Sequence, residues 1–460
     1  MNLHPDQLRN RRVLVMGLGS FGGGSGVARA LAQRGACVTV TDLRQEEQLA
    51  EARADLAGLD VAWELGGHRA ESFARAEVVI VNPAVPQNSP WLELARSHGA
   101  TLTTDVNLAL QAAAMVPSFA VTGTHGKSTC AALAAHLLSS LPGRTVLAGN
   151  LGGSLLERVT GLGSADRLVV ELSSFQTETL AAPPGWPRVA ALTCLRSDHL
   201  DRHGTRESYA AAKRRLLEFQ DGNGLALVPA GDPESLAWAE AAQGEVKWLD
   251  PSLLDAWQLD RADLPFQEPY RLPSLLAAVA GALALGLPRE ALRQALRSFT
   301  GLPHRMQRLA MPAPFCVVDN GVATHPEPTQ AALQHATERV VLLVGGKDKG
   351  LPLDDLAQAC SKCQRIYAYG EGGQRLASAL GVRGIAHRFF AQAAPAMAAA
   401  AGELGPGELL LFSPSFASFD EFRNFRDRAL LFQKICHELV GAGTKSLQSG
   451  VATADQETRR

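Results

Sequence analysis

Short runs of β-branched residues and leucine alternate with alanine-rich amphipathic stretches along the whole sequence. This alternation is typical of parallel sheets covered by helices, because a helix carries the chain from the end of one strand to the start of the next. The pattern therefore predicts an α/β fold. The runs that we interpret as strands are Val13–Met16, Cys37–Thr41, Val78–Val81 (as the third strand), Ser118–Val121, Leu168–Leu172, Val189–Leu192, Phe315–Val318, Val340–Val344, Ile366–Tyr369 and Leu409–Phe412.

The length of the chain bears on the number of domains. A chain of 460 residues is too long for one ordinary core and suggests several domains. We predict three α/β domains in series: a Rossmann-like N-terminal domain (1–110), a central P-loop ATPase-type domain (111–301) and a C-terminal Rossmann-like domain (302–442). Residues 443–460 are polar and lack periodicity, so we expect a disordered tail there. Ligands are expected where the domains meet.

Composition and charge exclude several classes of protein. With 46% hydrophobic and 20% charged residues, the chain resembles an ordinary soluble globular protein. A formal net charge of -2 argues against a nucleic-acid partner, since no basic excess is present to neutralise phosphates. No apolar stretch is long enough to cross a bilayer, and the first residues lack the apolar core of a secretory signal. We therefore expect a cytoplasmic monomer without membrane insertion.

The strongest local motif is GTHGKST, which lies between a predicted strand and a predicted helix. Its glycines let backbone N–H groups turn toward a phosphate, and the start of the helix adds partial positive charge. Lys127 can reach terminal phosphates, while a hydroxyl of Ser128 or Thr129 can ligate magnesium. The motif predicts a nucleotide site that comprises Gly123, Thr124, His125, Gly126, Lys127, Ser128 and Thr129.

A second glycine-rich turn, GLGSFG at residues 17–22, follows the first predicted strand. With Asp42 at the end of the next strand, it resembles a dinucleotide-binding fingerprint. Taken alone, the turn fits a diphosphate or a purely structural bend, and both interpretations stay open at this point. Arg44 would suit a diphosphate or ribose neighbour. A nicotinamide oxidoreductase is the weakest hypothesis, because it explains none of the later motifs.

Further motifs follow in fixed order: GNLG at 149–152, ELSSFQ at 171–176, SDHLDR at 197–202, YAAAK at 209–213, FTGLPHR at 299–305, GGKDKG at 345–350 and SPSFASFDEFRNF at 413–425. In order and spacing these motifs resemble the Mur ligase family, which builds the peptide of peptidoglycan precursors. ELSSFQ and SPSFASFDEFRNF favour the members that add D-glutamate over those that add L-alanine, a diamino acid or a dipeptide.

The resemblance implies an ATP-dependent ligase that joins D-glutamate to UDP-N-acetylmuramoyl-L-alanine through an acyl phosphate, with Mg²⁺. Lys127 would then hold the terminal phosphates, and Ser128 with Glu171 would ligate a first magnesium. His199 would bind a second magnesium. Lys213 resembles the lysine that this family carbamylates, a change that turns a cation into an anion beside that second ion. The alternative for Lys213 is an ordinary solvated lysine on a helix surface.

Substrate-binding positions also carry over from the resemblance. A lysine together with hydroxyl groups is what a small dicarboxylate requires. The resemblance assigns the uridine diphosphate group to Ser20, Phe21, Asp42, Leu43, Arg44 and Asn82, the muramoyl-peptide end to Asn150 and Gln176, D-glutamate to Thr324, Lys349, Ser418 and Phe425, and further nucleotide contacts to Arg305, Asp319 and Asn320.

Three positions depart from the family pattern. Arg271 and Ser274 stand where the family often has two asparagines near the adenine, and Val322 replaces a usual lysine. These changes predict altered nucleotide affinity or base preference, while Lys127, Glu171, His199 and Lys213 are all present. Two alternatives remain: a binding or regulatory protein without ligase turnover, and a ligase for another amino acid similar to folylpolyglutamate synthetase.

Overall fold

The computed structural model of the protein describes residues 3–19, 22–196, 198–266, 268–312 and 314–439. The predicted tail, 443–460, lies outside these residues. The described chain contains three β-sheets with helices between their strands. The chain forms two compact units, residues 1–299 and residues 300 onward; the first contains two of the sheets and the second contains one. The predicted α/β architecture with three domains is confirmed.

The first sheet has five parallel strands in the order β3-β2-β1-β4-β5. Its strands are β1 (Arg12–Met16), β2 (Cys37–Asp42), β3 (Val61–Leu65), β4 (Val78–Val81) and β5 (Thr101–Thr103). Its helices are α1 (Gly23–Gln33), α2 (Ala50–Ala54), α3 (Ala70–Arg75), α4 (Pro90–Ser97) and α5 (Asp105–Ala112). The prediction that Val78–Val81 is the third strand is wrong, because β3 precedes it. The half-exposed edge strand β3 lacks the apolar run that marks buried strands.

The second sheet has six parallel strands in the order β11-β10-β9-β6-β8-β7. Its strands are β6 (Ser118–Thr122), β7 (Thr145–Gly149), β8 (Arg167–Glu171), β9 (Val189–Leu192), β10 (Leu225–Pro229) and β11 (Glu245–Leu249). Its helices are α6 (Lys127–Leu138), α7 (Leu155–Val159), α8 (Ser174–Glu178), α9 (Leu200–His203), α10 (Arg206–Arg214), α11 (Ser235–Ala241), α12 (Leu253–Ala256), α13 (Leu272–Ala284) and α14 (Arg289–Arg297).

The third sheet has the order β12-β13-β17-β14-β15-β16, in which only the pairing of β12 with β13 is antiparallel among the described strands. Its strands are β12 (Gln307–Arg308), β13 (Cys316–Asp319), β14 (Arg339–Gly345), β15 (Arg365–Tyr369), β16 (Arg388–Phe390) and β17 (Glu408–Ser415). Its helices are α15 (Pro326–His335), α16 (Asp354–Ala359), α17 (Gly370–Val382) and α18 (Ala393–Gly402), followed by a helix over residues 425–439, here called the last helix.

Helix α6, which follows the GTHGKST loop, is enclosed almost on all sides. It packs against α13 and the central strands, and its buried residues include Cys130, Leu133 and Leu137. Such burial explains why its sequence is apolar all round rather than along one stripe. In a parallel sheet the carboxyl ends of the strands lie at one edge, which is where ligands usually bind. Within the described residues, no helix is long and apolar enough to cross a membrane.

Candidate active site

The GTHGKST loop connects the end of β6 to the start of α6, and two glycines allow its path. Gly123 and Gly126 have φ values of 148° and 81°. A Cβ atom at Gly123 would collide with the hydroxyl of Thr193, and one at Gly126 would collide with the hydroxyl of Ser274. Glycine is therefore required at both positions for steric reasons as well as for backbone conformation.

The segment after β9 and helix α13 fix the loop through hydrogen bonds. The Thr124 N–H donates to the carbonyl of Cys194 at 2.8 Å, and the Arg196 N–H donates to Thr124 Oγ1 at 2.9 Å. The hydroxyl of Ser274 donates to the carbonyl of Gly126 at 3.2 Å. Ser128 and Thr129 are buried in the first turn of α6. The loop is thus held in place by the protein before any ligand binds, as anion binding at a helix start requires.

Two lysines converge on this loop. Lys127 Nζ donates to the carbonyls of Gly123 and Thr124 at 2.9 and 2.8 Å. Lys213 Nζ, on α10, also donates to the Gly123 carbonyl, at 2.8 Å, and lies 3.5 Å from Thr122 Oγ1. Lys213 is only 1% exposed. Burial, and then the charge of Lys127, lower the pKa of Lys213 well below that of a free lysine. Lys213 is therefore not the solvated surface lysine of the alternative interpretation.

Tyr209 links α10 to the loop and was not among the predicted site residues. Its hydroxyl lies 3.1 Å from Thr124 Oγ1, and Lys213 Nζ lies over its ring, 4.6 Å from the centroid. The two residues are four apart on α10, so they share one face of the helix. This spacing is the signal in the sequence that could have identified Tyr209.

Glu171 ends β8 beside the loop and is a suitable ligand for a divalent cation. It is 2% exposed, and its Oε2 is buried without a hydrogen bond to any residue of the described ranges. Asn150 Nδ2 donates to Oε1 at 3.4 Å, and the Asn150 N–H donates to the Glu171 carbonyl at 2.9 Å. A buried carboxylate oxygen without a donor is costly, and a hard cation such as Mg²⁺ would satisfy it.

His199 lies in a strained position near this edge of the sheet. Its φ is 51°, and its imidazole lies 4.9 Å from the ring of Phe175 and 6.3 Å from that of Tyr209, measured between centroids. Its Nε2 lies 3.5 Å from Asp198 Oδ2. The described residues contain no group of three or more His, Cys, Asp or Glu arranged to hold a metal. The predicted metal set has only two such side chains, so it would need the hydroxyl of Ser128 and a modified Lys213 as well.

The GLGSFG turn is bound to its neighbouring strand by Asp42. This buried carboxylate accepts from the Leu18 N–H at 2.9 Å and from Arg44 Nη2 at 2.9 Å, and Arg44 Nη2 also donates to the Gly19 carbonyl at 3.1 Å. Burial alone raises the pKa of Asp42, but the hydrogen bonds from Arg44 and Leu18 together hold it below its usual value. Asp42 thus shapes the turn, and Arg44 places a guanidinium beside it.

The remaining residues assigned to the nucleotide-sugar substrate lie in several segments of the first unit. Asn82 Nδ2 donates to the Gly17 carbonyl at 3.4 Å, and Leu43 is 69% exposed. Gln176 accepts from the Ser173 N–H at 3.0 Å in a capping box at the start of α8, so its side-chain oxygen already has a structural role. The predicted positions Ser20 and Phe21 lie outside the described residues.

Direct contacts join the first two sheets within residues 1–299. Asp105, at the start of α5, accepts from Ser154 Oγ and the Leu155 N–H, both at 2.7 Å, and from the Leu156 N–H at 3.2 Å. Arg29 Nη1 on α1 bonds Glu157 Oε1 at 2.6 Å. Burial raises the pKa of Asp105 to about 6. These bonds hold the start of α7, which follows the GNLG segment that contains Asn150.

In the unit from residue 300 onward, Asp319 and Asn320 are buried. Asp319 Oδ2 lies 2.8 Å from His304 Nδ1 and accepts from Gln433 Nε2 at 2.7 Å. Asn320 Nδ2 donates to Ser413 Oγ at 3.0 Å. A ribose contact by either residue would have to exchange one of these internal bonds, so their described role is to support the end of β13. Arg305, the other predicted nucleotide contact, is half-buried in the segment before β12.

Three of the residues assigned to D-glutamate lie on three loops of this unit, which follow β13, β14 and β17. Thr324 Oγ1 lies 3.3 Å from His325 Nδ1, and Lys349 Nζ lies 3.4 Å from His325 Nε2. Ser418 is buried at the end of the segment that follows β17. Phe425 is half-buried, with its ring 6.4 Å from that of His304.

Arg428, on the last helix, connects the loops that carry Lys349 and Ser418. It is 0% exposed and donates to the carbonyls of Gly345, Ala417 and Phe416 at 3.3, 3.0 and 3.0 Å. The backbone of Lys347 and that of Ala417 also pair, at 2.8 and 3.2 Å. Sequence analysis did not identify Arg428, since a buried arginine cannot be distinguished from a surface one by position alone.

The departures from the family pattern have local explanations. The Arg271 guanidinium lies 3.8 Å from the ring centroid of Phe266, and burial lowers its pKa. Ser274 is used to hold the phosphate loop at Gly126. The Val322 N–H donates to the His304 carbonyl at 3.1 Å, which needs only the backbone. Thus two of the substituted side chains, Arg271 and Ser274, make defined contacts in the first unit.

Three family models match successive parts of the chain. Residues 11–104 match the family model described as Mur ligase MurD-like, N-terminal domain. Residues 121–254 match the Mur ligase middle domain, and residues 304–416 match the Mur ligase, glutamate ligase domain.

Curated relatives are similar to this chain over almost its full length. A UDP-N-acetylmuramoylalanine--D-glutamate ligase of Roseiflexus sp. (strain RS-1) is 36% identical over 461 residues, which cover 93% of this chain and 99% of the relative. The protein of the same name from Geobacter metallireducens is 35% identical, over 95% of this chain and all of its own.

Solved structures support the fold, and the relatives decide the family. The UDP-N-acetylmuramate-alanine ligase MurC of Thermotoga maritima is similar with a TM-score of 0.59 and 18% identity, over 92% of this chain and 98% of its own. MurF of Acinetobacter baumannii has a TM-score of 0.58 and 18% identity, over 93% of each chain. The resemblance predicted from the motifs is confirmed, and the chain belongs to the Mur ligase family.

Proposed function

We propose that this protein is an ATP-dependent, ADP-forming ligase that joins D-glutamate to UDP-N-acetylmuramoyl-L-alanine in peptidoglycan biosynthesis. The observation that carries the proposal is the full-length similarity to relatives named for this activity. The convergence of Lys127, Lys213 and Glu171 at one edge of the second sheet supplies groups suited to phosphoryl transfer.

The reaction needs an activated carboxylate, because an anionic carboxylate repels the electron pair of an amine. Transfer of the ATP γ-phosphoryl group to the substrate carboxylate forms an acyl phosphate and releases ADP. The D-glutamate amine then attacks the acyl carbon, the amide forms and phosphate leaves. Such a transfer depends on positioning and charge neutralisation. Lys127 and the N–H groups at the start of α6 supply both for the phosphates.

Magnesium is the metal that we propose for this site. Glu171 with Ser128 would hold one ion, and His199 with a carbamylated Lys213 would hold another. When bound, Mg²⁺ neutralises phosphate charge and orients the reacting oxygens. The support is the unsatisfied buried oxygen of Glu171 beside the phosphate loop.

Carbamylation of Lys213 is part of the same proposal. Only the neutral amine can attack CO₂; a new N–C bond forms and a proton passes to water. The buried position of Lys213 and the proximity of Lys127 both favour the neutral amine. The carbamate formed on Lys213 is an anion. Its attraction to the Lys127 ammonium would replace the repulsion between two positively charged lysines.

Substrate binding divides between the two units in this proposal. The nucleotide-sugar would contact Asp42, Leu43, Arg44 and Asn82, with Ser20 and Phe21 in the same turn and Asn150 and Gln176 at the peptide end. D-Glutamate would contact Thr324, Lys349, Ser418 and Phe425, and Arg305 would contact a nucleotide phosphate. We further propose domain boundaries near residues 110 and 301, a monomeric state, a cytoplasmic location, and no nucleic-acid or membrane partner.

The first experiment measures phosphate release with ATP, Mg²⁺, UDP-N-acetylmuramoyl-L-alanine and D-glutamate, and omits each component in turn. We expect release only when all four are present, and none when L-glutamate replaces D-glutamate. Release with another amino acid in place of D-glutamate would instead favour a related ligase of different specificity.

One observation bears on the non-catalytic alternative: Ser274, one of the changed side chains, donates a hydrogen bond to the phosphate loop at Gly126. A folded protein that binds the nucleotide-sugar but releases no phosphate under any combination would support a binding or regulatory role. ATP titration separates the cases, since an active enzyme with altered base contacts would show a raised KM for ATP and not silence.

A further inference from the structure

His325 lies between two residues that the proposed function assigns to D-glutamate. Its Nε2 is 3.4 Å from Lys349 Nζ, and its Nδ1 is 3.3 Å from Thr324 Oγ1. The contact with Lys349 joins the loop after β13 to the loop after β14. No role was predicted for His325 from the sequence.

The chemistry of the two neighbours determines the tautomer of the imidazole. A lysine ammonium has three donors and no acceptor, so Nε2 must accept from Lys349. In a neutral imidazole the other nitrogen then carries the proton, and Nδ1–H donates to Thr324 Oγ1. The hydroxyl proton of Thr324 is thereby directed away from the ring. The arrangement orients two donors, an ammonium and a hydroxyl.

We propose that His325 is a positioning residue that holds Lys349 and Thr324 as paired donors for a carboxylate group of the amino-acid substrate. The inference rests on the proposed function, because that function supplies the dicarboxylate. A charged donor and a neutral donor in fixed positions suit one carboxylate, since charge-assisted hydrogen bonds are the stronger kind and geometry adds selectivity.

The backbones of the Thr324 loop and of the Lys349 loop are held by other hydrogen bonds. The His325 side chain therefore acts on the positions of the two side-chain donors. The Ser415 N–H donates to the Ala323 carbonyl at 2.8 Å, which holds the Thr324 loop. The Lys349 loop is held by Arg428 through Gly345. Burial, and then the charge of Arg428, lower the pKa of Lys349. A nearby hydrogen-bond acceptor would therefore stabilise the charged form of this lysine. His325 supplies that acceptor.

The backbone of His325 also limits where its ring can go. His325 precedes Pro326, the first residue of α15, and has φ -138° and ψ 159°. A following proline disfavours the helical region, so the extended conformation is enforced by the sequence. The imidazole is therefore presented from the start of a helix of ten residues, rather than from a loop able to rearrange.

The test compares His325→Gln, His325→Asn and His325→Ala in the full-length enzyme. Glutamine places an acceptor near the position of Nε2, and asparagine places a donor near that of Nδ1. We expect His325→Ala to raise KM for D-glutamate roughly tenfold, the effect of losing one hydrogen bond to a charged group. We expect kcat and the KM values for ATP and the nucleotide-sugar to stay within about twofold of wild type. His325→Gln should recover most of the loss and His325→Asn less.

A matched control is His335→Ala, at the exposed end of the same helix, which should leave every constant unchanged. An unchanged KM for D-glutamate in His325→Ala would overturn the proposal. An equal rise of all three KM values in the alanine and glutamine variants would also overturn it, because a general structural effect would then explain the data.

A second measurement does not depend on turnover. Nitrogen-15 NMR of the labelled wild-type protein, with His325→Ala to assign the signal, reports which ring nitrogen carries the proton. We expect the Nδ1–H tautomer at pH 8; an Nε2–H tautomer would overturn the inference. If the wild type shows the Nδ1–H tautomer but no phosphate release with D-glutamate, the proposed function fails while the Lys349–His325–Thr324 arrangement stands.

Discussion

Lys127 and Lys213 donate hydrogen bonds to one acceptor, the carbonyl oxygen of Gly123, at 2.9 and 2.8 Å. Burial and the charge of Lys127 both lower the pKa of Lys213, so a positive charge on both groups at this edge of the second sheet has a cost. Such a cost in a buried position is typical of functional sites. Either an anionic ligand or the loss of one positive charge would relieve it, and the proposed reaction provides both.

Replacing Lys127 with alanine tests its assignment to the phosphates. We expect turnover to fall by at least a hundredfold, because one preorganised charge contact contributes about 3–4 kcal/mol to a transition state. The fold should remain intact, since the Lys127 ammonium is half-buried and its two bonds to Gly123 and Thr124 go to carbonyls of the loop itself. Phosphate release and circular dichroism check the two expectations. Activity near that of wild type would contradict the assignment.

Replacing Lys213 with alanine tests the carbamate. We expect a large loss of activity, with partial recovery when a short carboxylic acid such as acetate or formate is added, because the added anion can occupy the space of the carbamate. Lys362→Ala removes an exposed lysine and serves as the control, without loss or rescue. If Lys213→Ala and removal of bicarbonate both leave the rate unchanged, carbamylation has no part in the reaction.

Replacing Glu171 with glutamine separates stability from metal binding. Without metal, we expect thermal stability equal to or above that of wild type, since the buried Oε2 has no hydrogen-bond donor among the described residues. In the wild type, Mg²⁺ with ATP should raise the unfolding temperature, and this rise should largely vanish in the variant. Thermal unfolding in EDTA and in Mg²⁺–ATP measures both. An undiminished rise in the variant would remove Glu171 from the proposed metal ligands.

Asp105 should make stability depend on pH in a specific direction. Burial, the largest effect, and the charge of Glu157 raise its pKa, the hydrogen bonds from Ser154, Leu155 and Leu156 lower it, and the net pKa is about 6. A raised pKa means that the folded protein binds the proton more tightly, so the contribution is full below about pH 4 and is lost as pH rises through 6. The loss amounts to on the order of 3 kcal/mol by pH 8.

The measurement compares the free energy of unfolding of wild type and Asp105→Asn at pH 5 and pH 8. Asparagine cannot ionise and loses one acceptor at every pH, so the stability advantage of wild type should be larger at pH 5 than at pH 8. An advantage that grows with pH would show that Asp105 is stabilised as an anion, by the N–H groups of Leu155 and Leu156.

The strands that the sequence predicted correctly are those with both faces covered. β4 and β9 match the predicted ranges at both ends, and both are buried throughout. The missed strands β3, β5, β7, β11, β12 and β16 are at sheet edges, where exposed positions interrupt the apolar run. β10 is an exception: it is interior and fully buried, and its LALV run could have been recognised.

The candidate site was predictable where short motifs surround it, as at Lys127 and Lys213. It was not predictable where distant segments meet. Asp105 and Ser154 are separated by 49 positions, and nothing local in either sequence indicates the bond between them. His325 is missed for a related reason, because its neighbour Lys349 lies on another loop. Long-range side-chain geometry is set by packing, which sequence motifs do not report.

Arg428 has a consequence for the order in which the protein becomes competent. Its guanidinium donates hydrogen bonds to the carbonyls of Gly345 and Ala417 and so holds their two loops together. Arg428 itself lies on the last helix, after both loops in the sequence. During synthesis the strands and loops of this unit leave the ribosome before that helix does. The pocket proposed for the amino acid can therefore be completed only after the last helix has been synthesised, so a chain truncated before residue 425 would lack that pocket.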